Sequence, residues 1–338
     1  MINKKNFDTK RISKLINAYI QNKKIPGAVF GVINTKKKKT IISEGYRQLI
    51  NKKVKVNNST TYDLASLTKV LFTTHQILKL HNKKILDIND PISLYIPDLC
   101  QYDYNSWERR VTIKECLSHN TNFPAVEPIY TYGSKPETLK AFILQRRWKK
   151  HKSVYSDINF ILLGIILERI FKKNITKIPT GYKFSFNPLS KNIAATENCN
   201  WRNRILCGET HDENSFALKG SGHAGLFGNA DSILNFAFDM LKNINISAEH
   251  SKLIKNKIHK NRSCGWEVSF KNWSGGNFCS KETIGHTGFT GTGVWIDFKN
   301  KLAWILLTNR VHPSRHKDSG IQDLRSSIGD LVIQDCAL

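Results

Sequence analysis

The stretch "DLASLTKVLF", residues 63–72, places Ser66 and Lys69 three positions apart at the head of an apolar run. On a helix that spacing leaves the two side chains about 60° apart and one turn apart in height, so they can touch. A serine hydroxyl is a poor nucleophile until its proton is taken, and a lysine amine can help when burial or neighbouring cations depress its pKa. The helix N-terminus adds backbone N–H groups where an oxyanion would form. The plainer reading is a helix cap, Asp63 or Ser66, followed by a solvated lysine. Against it, Lys69 is embedded among Leu67, Val70 and Leu71, a poor setting for a solvated charge.

Two further stretches can share a site with this pair. In "VYSDIN", residues 154–159, Tyr155 precedes a helix start and its phenol can project toward a cleft, while Asp157 caps the helix or faces a substrate. In "IGHTGFTGTGVWIDF", residues 284–298, His286, Thr287 and Gly288 lead into an apolar run along the edge of an expected strand. Such an edge can pair with the backbone of an acyl or peptide substrate. The structural alternatives are a packed tyrosine beside an N-cap aspartate and a Gly-rich hairpin turn.

Outward from these motifs the chain alternates in a definite order. Residues 9–22 have the periodicity of an amphipathic helix, and "GAVFGVINT" and "KTIISEGYRQLI" form a hairpin around a lysine-rich turn. A middle of short elements follows, with helices in "VYSDINFILLGIILERIF" and "DSILNFAFDMLKNI". Apolar runs near "CGWEVSF", "TGVWIDF" and "KLAWILLTN" read as antiparallel strands, and "DLRSSIGDLVIQDC" as a final helix. Strands at both ends with helices between imply one sheet built from both chain ends and a helical insertion. Trp266, Trp273, Trp295 and Trp304 fall in that sheet as core or cleft wall.

"SLTK", "YSD" and "HTG", in this order and at these separations, resemble the three active-site motifs of the serine β-lactamase and penicillin-binding-protein superfamily, in its class C and esterase-like branch. "LDINDPISLYIP", "VTIKECLSHNTNFP", "YSDINFILLGIILE" and "GHAGLF" resemble stretches typical of that branch, and together the resemblance covers most of residues 26–310. It implies a β-lactamase/transpeptidase-like α/β plus α fold: an antiparallel sheet flanked by N- and C-terminal helices, with an all-helical insertion lobe. The implied single domain divides into an α/β lobe near 1–80 and 225–338 and a mostly helical lobe near 81–224.

By the same resemblance Ser66 is the acylated nucleophile and Lys69 the amine that activates it. Tyr155 acts with Lys69 as general base, passes a proton to the leaving group and later helps to activate water. The N–H groups of Ser66 and Phe289 form the oxyanion hole, and His286, Thr287 and Gly288 line the substrate with Asp157. No metal and no cofactor is implied. This chain departs from the pattern at three places: His286 stands where many members have Lys, Asp157 where class C enzymes typically have Asn, and "HNTNFP" replaces a His-Thr-Ser-Gly loop. Loss of the lysine removes a fixed cation at that position, and an ionised Asp only accepts hydrogen bonds where Asn also donates. Ester turnover with slow or absent β-lactam hydrolysis is the expectation.

The remaining signals narrow the partner. Lys plus Arg number 52 against 27 Asp plus Glu, a net charge of +25, but the basic residues run through the whole chain without an aromatic-interleaved patch. Nucleic acid is therefore not expected as the main partner. His211 and His223, with Asp212 and Glu213, invite a metal reading, yet "HDEN" and "GHAG" lack the i, i+4 helical spacing of a zinc site, so His223 reads as a hydrogen-bonded structural histidine. Seven cysteines, odd in number and without Cys-x-x-Cys, suggest free thiols in a reducing compartment. No secretory leader or bilayer-spanning run is read in the chain, which points to a cytoplasmic location. The expected substrate is a small molecule, peptide or cell-wall fragment with an ester or amide bond. A non-catalytic or slowly acylated penicillin-binding-like sensor is the alternative, and the oligomeric state is not readable.

Overall fold

The computed structural model describes residues 7–244 and 246–336. Residues 1–6 of the basic N-terminal stretch and the side chain of Cys336 lie outside the described residues. The two ends of the chain build one antiparallel sheet. β1 (Gly27–Asn34) and β2 (Lys39–Gln48) form the expected hairpin, with β3 (Val54–Lys55) at its edge. β8 (Glu267–Val268), β9 (Thr283–Thr287), β10 (Gly293–Asp297) and β11 (Leu302–Thr308) complete the order β3-β2-β1-β11-β10-β9-β8. The seam between the halves is β1 against β11, in register from Ala28↔Thr308 to Asn34↔Leu302.

That seam is buried on both faces, which is why β1 and β11 read as nearly continuous apolar runs. Alternate side chains go to opposite sides. Phe30 and Val32 pack with Trp295 and Trp304 beneath α1 (Lys10–Gln21) and α9 (Ile321–Cys336), which contribute Ile12, Ile16, Leu324 and Ile328. Val29 and Ile33 face the larger core with Ile233 and Leu234 of α7 (Ala230–Leu241). The four tryptophans expected in the sheet are all buried, but only Trp295 and Trp304 lie in strands; Trp266 precedes β8 and Trp273 sits in the loop between β8 and β9, outside the sheet where the apolar runs place them.

The site lies where this sheet meets the helical middle. β4 (Tyr62–Asp63) pairs with β7 (Phe227–Gly228), and the chain then turns sharply, with Ala65 in the left-handed region at φ 45°. A residue with a Cβ holds that conformation only when its surroundings impose it. Here Thr290 and Thr292 donate from their hydroxyls to the Asp63 and Leu64 carbonyls at 2.8 and 3.2 Å, tying the turn to the sheet. Asp63 does not cap the following helix as expected; its carboxylate accepts the N–H groups of Ala65 (2.8 Å) and His211 (2.6 Å). A helix then runs from Leu67 through a π-helical segment, Lys69–Thr74, into α2 (His75–Asn82).

The middle contributes α3 (Ile113–Leu117), whose Thr112–Glu115 capping box fixes the loop bearing His119, then α4 (Pro136–Gln145) and α5 (Asp157–Phe171). α5 is apolar nearly all round, and Ile158 through Leu167 are buried, making it the central helix of the middle. β5 (Asn198–Cys199), β6 (Arg204–Ile205) and α6 (Glu213–Ala217) lead back to β7, and α8 (Ala248–Lys255) precedes β8. The backbone at Gly222 comes so close to α5 that a Cβ on Gly164 would lie 2.6 Å from the Gly222 nitrogen. Thr73 donates to the Gly222 carbonyl at 2.6 Å from the other side. Gly164→Ala must push this loop away, and it is expected to lower the unfolding free energy by about 1–3 kcal/mol in a urea titration. Gly133→Ala, whose nearest neighbour would be 3.6 Å away, is expected to stay within about 0.5 kcal/mol of the parent.

Candidate active site

At the turn, Ser66 Oγ accepts a hydrogen bond from Lys69 Nζ at 3.0 Å. The lysine side chain is 0% exposed, although a solvated lysine would be the ordinary expectation for this residue type. Its ammonium is satisfied instead by the His223 carbonyl at 3.1 Å and by Asp157 Oδ1 at 2.8 Å. It also sits 4.9 Å from the centre of the Tyr155 ring. Burial pushes the Lys69 pKa down, but the charge on Asp157 and the Tyr155 oxygen outweigh it and hold the group above the ordinary lysine value. The amine expected from the Ser-x-x-Lys spacing is therefore an ammonium at rest, a donor to Ser66 and not yet a base.

Tyr155 and Asp157 reach the site together because they flank Ser156, where α5 begins. Tyr155 is held between rings and charges: His119 lies 4.4 Å from it and the Arg262 guanidinium 4.7 Å. The Ser156 N–H donates to His119 Nδ1 at 3.0 Å, so the neutral ring carries its proton on Nε2. Burial, with Arg262 and Lys69 nearby, keeps the His119 pKa well below the ordinary value.

β9 supplies the opposite wall. β8 pairs with only Ile284 and Gly285, which leaves His286 and Thr287 on an open strand edge, as the sequence implied. His286 Nδ1 lies 2.9 Å from the Thr287 carbonyl and donates to it, so the neutral ring has a lone pair on Nε2. Burial, then the charges on Arg262 and Lys69, push its pKa well below the ordinary range. The ring is thus uncharged at neutral pH. A Cβ on Gly288 would fall 2.1 Å from Thr292 Oγ1 and 2.6 Å from the Leu64 carbonyl, so only glycine lets this strand end lie against the Ser66 turn. The next residue, Phe289, is 48% exposed, with His211 stacked at 5.6 Å and Arg310 at 4.5 Å. Among the described residues no acceptor takes the N–H of Ser66 or Phe289, and both residues line one cavity of about 340 Å³ with Tyr155, His286, Thr287 and Gly288.

The structure also brings in residues that the motifs do not reveal. Arg262, Arg310 and Arg325 line the same cavity, so positive charge absent from residue 286 reaches the cleft from other elements. Arg262 pairs with Glu267 at 2.9 Å, whereas Arg310 and Arg325 have no acidic partner within 4 Å among the described residues. Burial pushes the Arg325 pKa down to about 9, and its guanidinium donates to the Gly288 and Thr292 carbonyls at 2.8 Å each. No local spacing connects these arginines to the motifs; only folding does.

Asp157, Asp212 and His223 each offer a ligand atom, all within 4.8 Å of one another. One of the three, Asp157, already holds the Lys69 ammonium at 2.8 Å. Burial would raise the Asp212 pKa, but His223 and the same ammonium lower it. His223 Nε2 pairs with Asp212 Oδ1 at 2.9 Å and its Nδ1 with Ser221 Oγ at 2.8 Å, as befits a structural histidine. His211, weighed beside it from the sequence, turns away to Glu197 at 3.0 Å.

The profile of the β-lactamase family matches residues 12–325. The chain belongs to the β-lactamase family. Among curated relatives of this β-lactamase-family chain is the N-acetylmuramyl-L-alanine amidase of Bacillus subtilis (strain 168), 30% identical over 346 residues, covering 85% of this chain and 78% of the relative. Two solved structures share the fold. Simvastatin Synthase (LovD) from Aspergillus terreus has a TM-score of 0.75 at 14% identity over 96% of this chain and 98% of its own. A class C β-lactamase from Rhodobacter sphaeroides has a TM-score of 0.71 at 14% identity over 95% and 99%. The fold inferred from the motifs is therefore the fold of this protein, and no helix among the described residues is long and apolar enough to cross a membrane.

The neutral state of His286 has a measurable consequence. Below about pH 6.5 the unfolded chain protonates this histidine and the folded chain does not, so stability falls with acidification. His286→Gln is expected to reduce the loss of unfolding free energy between pH 6 and pH 5 by about 1.2 kcal/mol. Urea titrations of both proteins at those two pH values measure it, and equal slopes would refute the assignment.

Proposed function

We propose that this serine hydrolase of the β-lactamase family cleaves ester or amide bonds through an acyl-enzyme on Ser66, with an amide or ester of a peptide or cell-wall fragment as substrate. The observation that carries the reading is the 3.0 Å contact between Ser66 Oγ and Lys69 Nζ beside two backbone N–H groups that have no acceptor among the described residues. In the proposed reaction Ser66 Oγ attacks the carbonyl carbon while its proton leaves by way of Lys69 and Tyr155. The N–H groups of Ser66 and Phe289 stabilise the oxyanion, and Tyr155 returns a proton to the leaving group and later draws one from water.

The substrate class rests on three supports. The open β9 edge suits pairing with an extended backbone. Arg310 and Arg325 favour a substrate that carries a carboxylate. The Bacillus subtilis relative is named for an amide bond in a muramyl compound. An uncharged His286 in place of Lys favours weak or absent β-lactam turnover. We take the cleft to lie between an α/β lobe (1–80 with 225–338) and a mostly helical lobe (81–224). We read the place of action as cytoplasmic from the odd cysteine count, with recovered cell-wall fragments as the matching substrates.

One observation favours the second reading, a slowly acylated sensor: the fully buried Lys69 is paired with Asp157 at 2.8 Å, which holds its pKa above the ordinary lysine value. A fluorophosphonate probe followed by mass spectrometry separates the two. Ser66 is expected to be labelled in the folded protein and Ser66→Ala to stay unlabelled, with Lys69→Ala and Tyr155→Phe slowed by about 10²–10⁴-fold. Turnover of p-nitrophenyl esters with slow or no nitrocefin hydrolysis is expected. An unlabelled Ser66 sinks the hydrolase reading, and labelling without turnover favours the sensor.

A further inference from the structure

The group hydrogen-bonded to Ser66 Oγ, at 3.0 Å, is an ammonium, which can donate a proton but cannot accept one. The groups around it show where its extra proton can go. Facing Lys69 are Ser66 from its own turn, Tyr155 and Asp157 from the start of α5, and the His223 carbonyl with Asp212 behind it. His119 from the loop after α3 and His286 from β9 complete the surroundings, and Arg262 lies across the Tyr155 ring. Both histidines are uncharged. Asp212 Oδ1 is already engaged by His223 Nε2 at 2.9 Å and the Ser215 N–H at 2.7 Å. Asp157 Oδ1 is buried and, among the described residues, has no hydrogen-bond partner apart from the ammonium 2.8 Å away. Its side chain keeps 16% exposure while that of Lys69 has none.

We propose that Asp157 is the proton reservoir of this site: when a substrate covers the cleft, Lys69 passes one proton to Asp157 Oδ1 and becomes the free amine that deprotonates Ser66. The inference rests on the proposed acylation of Ser66. The physical drive is desolvation. An ion pair with water on one side is stabilised by that water, and removing it shifts the balance toward a neutral amine and a neutral carboxyl. The number of protons on the pair does not change. The Lys69 N–H bond breaks as the Asp157 O–H bond forms, the amine lone pair then takes the Ser66 proton as the Oγ–C bond forms, and that proton passes through Tyr155 to the departing group. The pair ends with the proton count it had at the start. Asp157 acts through Lys69 and is a positioning residue, set here by charge and not by substrate contact. The asparagine typical of class C enzymes at this position cannot do this, since an amide does not take up the proton.

Because the exchange needs no proton from solvent, acylation by the wild-type protein is expected to be nearly flat with pH. Asp157→Asn removes the one carboxylate among the described residues that touches Lys69 and leaves only the more distant Asp212, already engaged by His223 and Ser215, so the buried lysine must lose its proton to solvent and the variant acquires a new pH limb. The test is kcat/KM for p-nitrophenyl acetate, whose leaving group needs no proton, from about pH 5.5 to about pH 8.5. Wild type is expected to vary by less than about threefold, and Asp157→Asn to fall about tenfold per pH unit on the acid side of its limb. Parallel profiles for the two proteins overturn the inference, as does a wild-type rate that itself rises about tenfold per unit above pH 7. Should Asp157→Asn fail to fold, the wild-type profile alone decides. If wild type neither releases p-nitrophenol nor takes the fluorophosphonate label, the proposed function fails; release with parallel profiles removes only the role given to Asp157.

Discussion

The enclosure of one ammonium organises the centre of this molecule. A buried cation is tolerated only when it is paired and hydrogen-bonded on every side. The partners of Lys69 come from places far apart in the chain: Ser66 in its own turn, Asp157 at the head of α5, and the His223 carbonyl in the loop before β7. Bringing them together demands the close approach of Gly222 to Gly164 and the anchoring of that loop through Ser221, His223 and Asp212. It demands equally that β9 end against the Ser66 turn, which Gly288 permits. Much of the local architecture around the cleft is the apparatus for holding that charge next to a serine.

Two of the three departures of this chain from the common motif pattern, at residues 157 and 286, act on the same charge balance. Lysine at residue 286 would put a second ammonium near Lys69 and depress it. A neutral His286 removes that repulsion, while aspartate at residue 157 adds attraction, so both changes favour the protonated lysine. Positive charge at the cavity comes instead from Arg262, Arg310 and Arg325, none of them on β9.

Much of the frame was legible before any coordinates. The apolar period of α1, the hairpin β1–β2, the length of α5 and the three closing strand runs each reflect local side-chain pattern, and local pattern is what a linear reading sees. Asp63 was misread as a cap because aspartate before an apolar run is the ordinary start of a helix. Its carboxylate was claimed by the backbone of His211, a partner 148 positions away. The π-helical segment after Ser66 and the left-handed Ala65 likewise have no residue-level signature, since the turn is imposed by Thr290 and Thr292 from the sheet.

By itself the sequence determined the family and the two-ended sheet, and it singled out Ser66, Lys69, Tyr155 and His286 as candidates, because each belongs to a short contiguous motif whose chemistry depends on side-chain type. Only the tertiary structure decided their protonation states and their company. Whether Lys69 rests as an amine or an ammonium depends on how much water is excluded and which carboxylate lies 2.8 Å away. Those are properties of a folded cavity, where elements from both ends of the chain and from its middle meet, and no spacing along the chain encodes them.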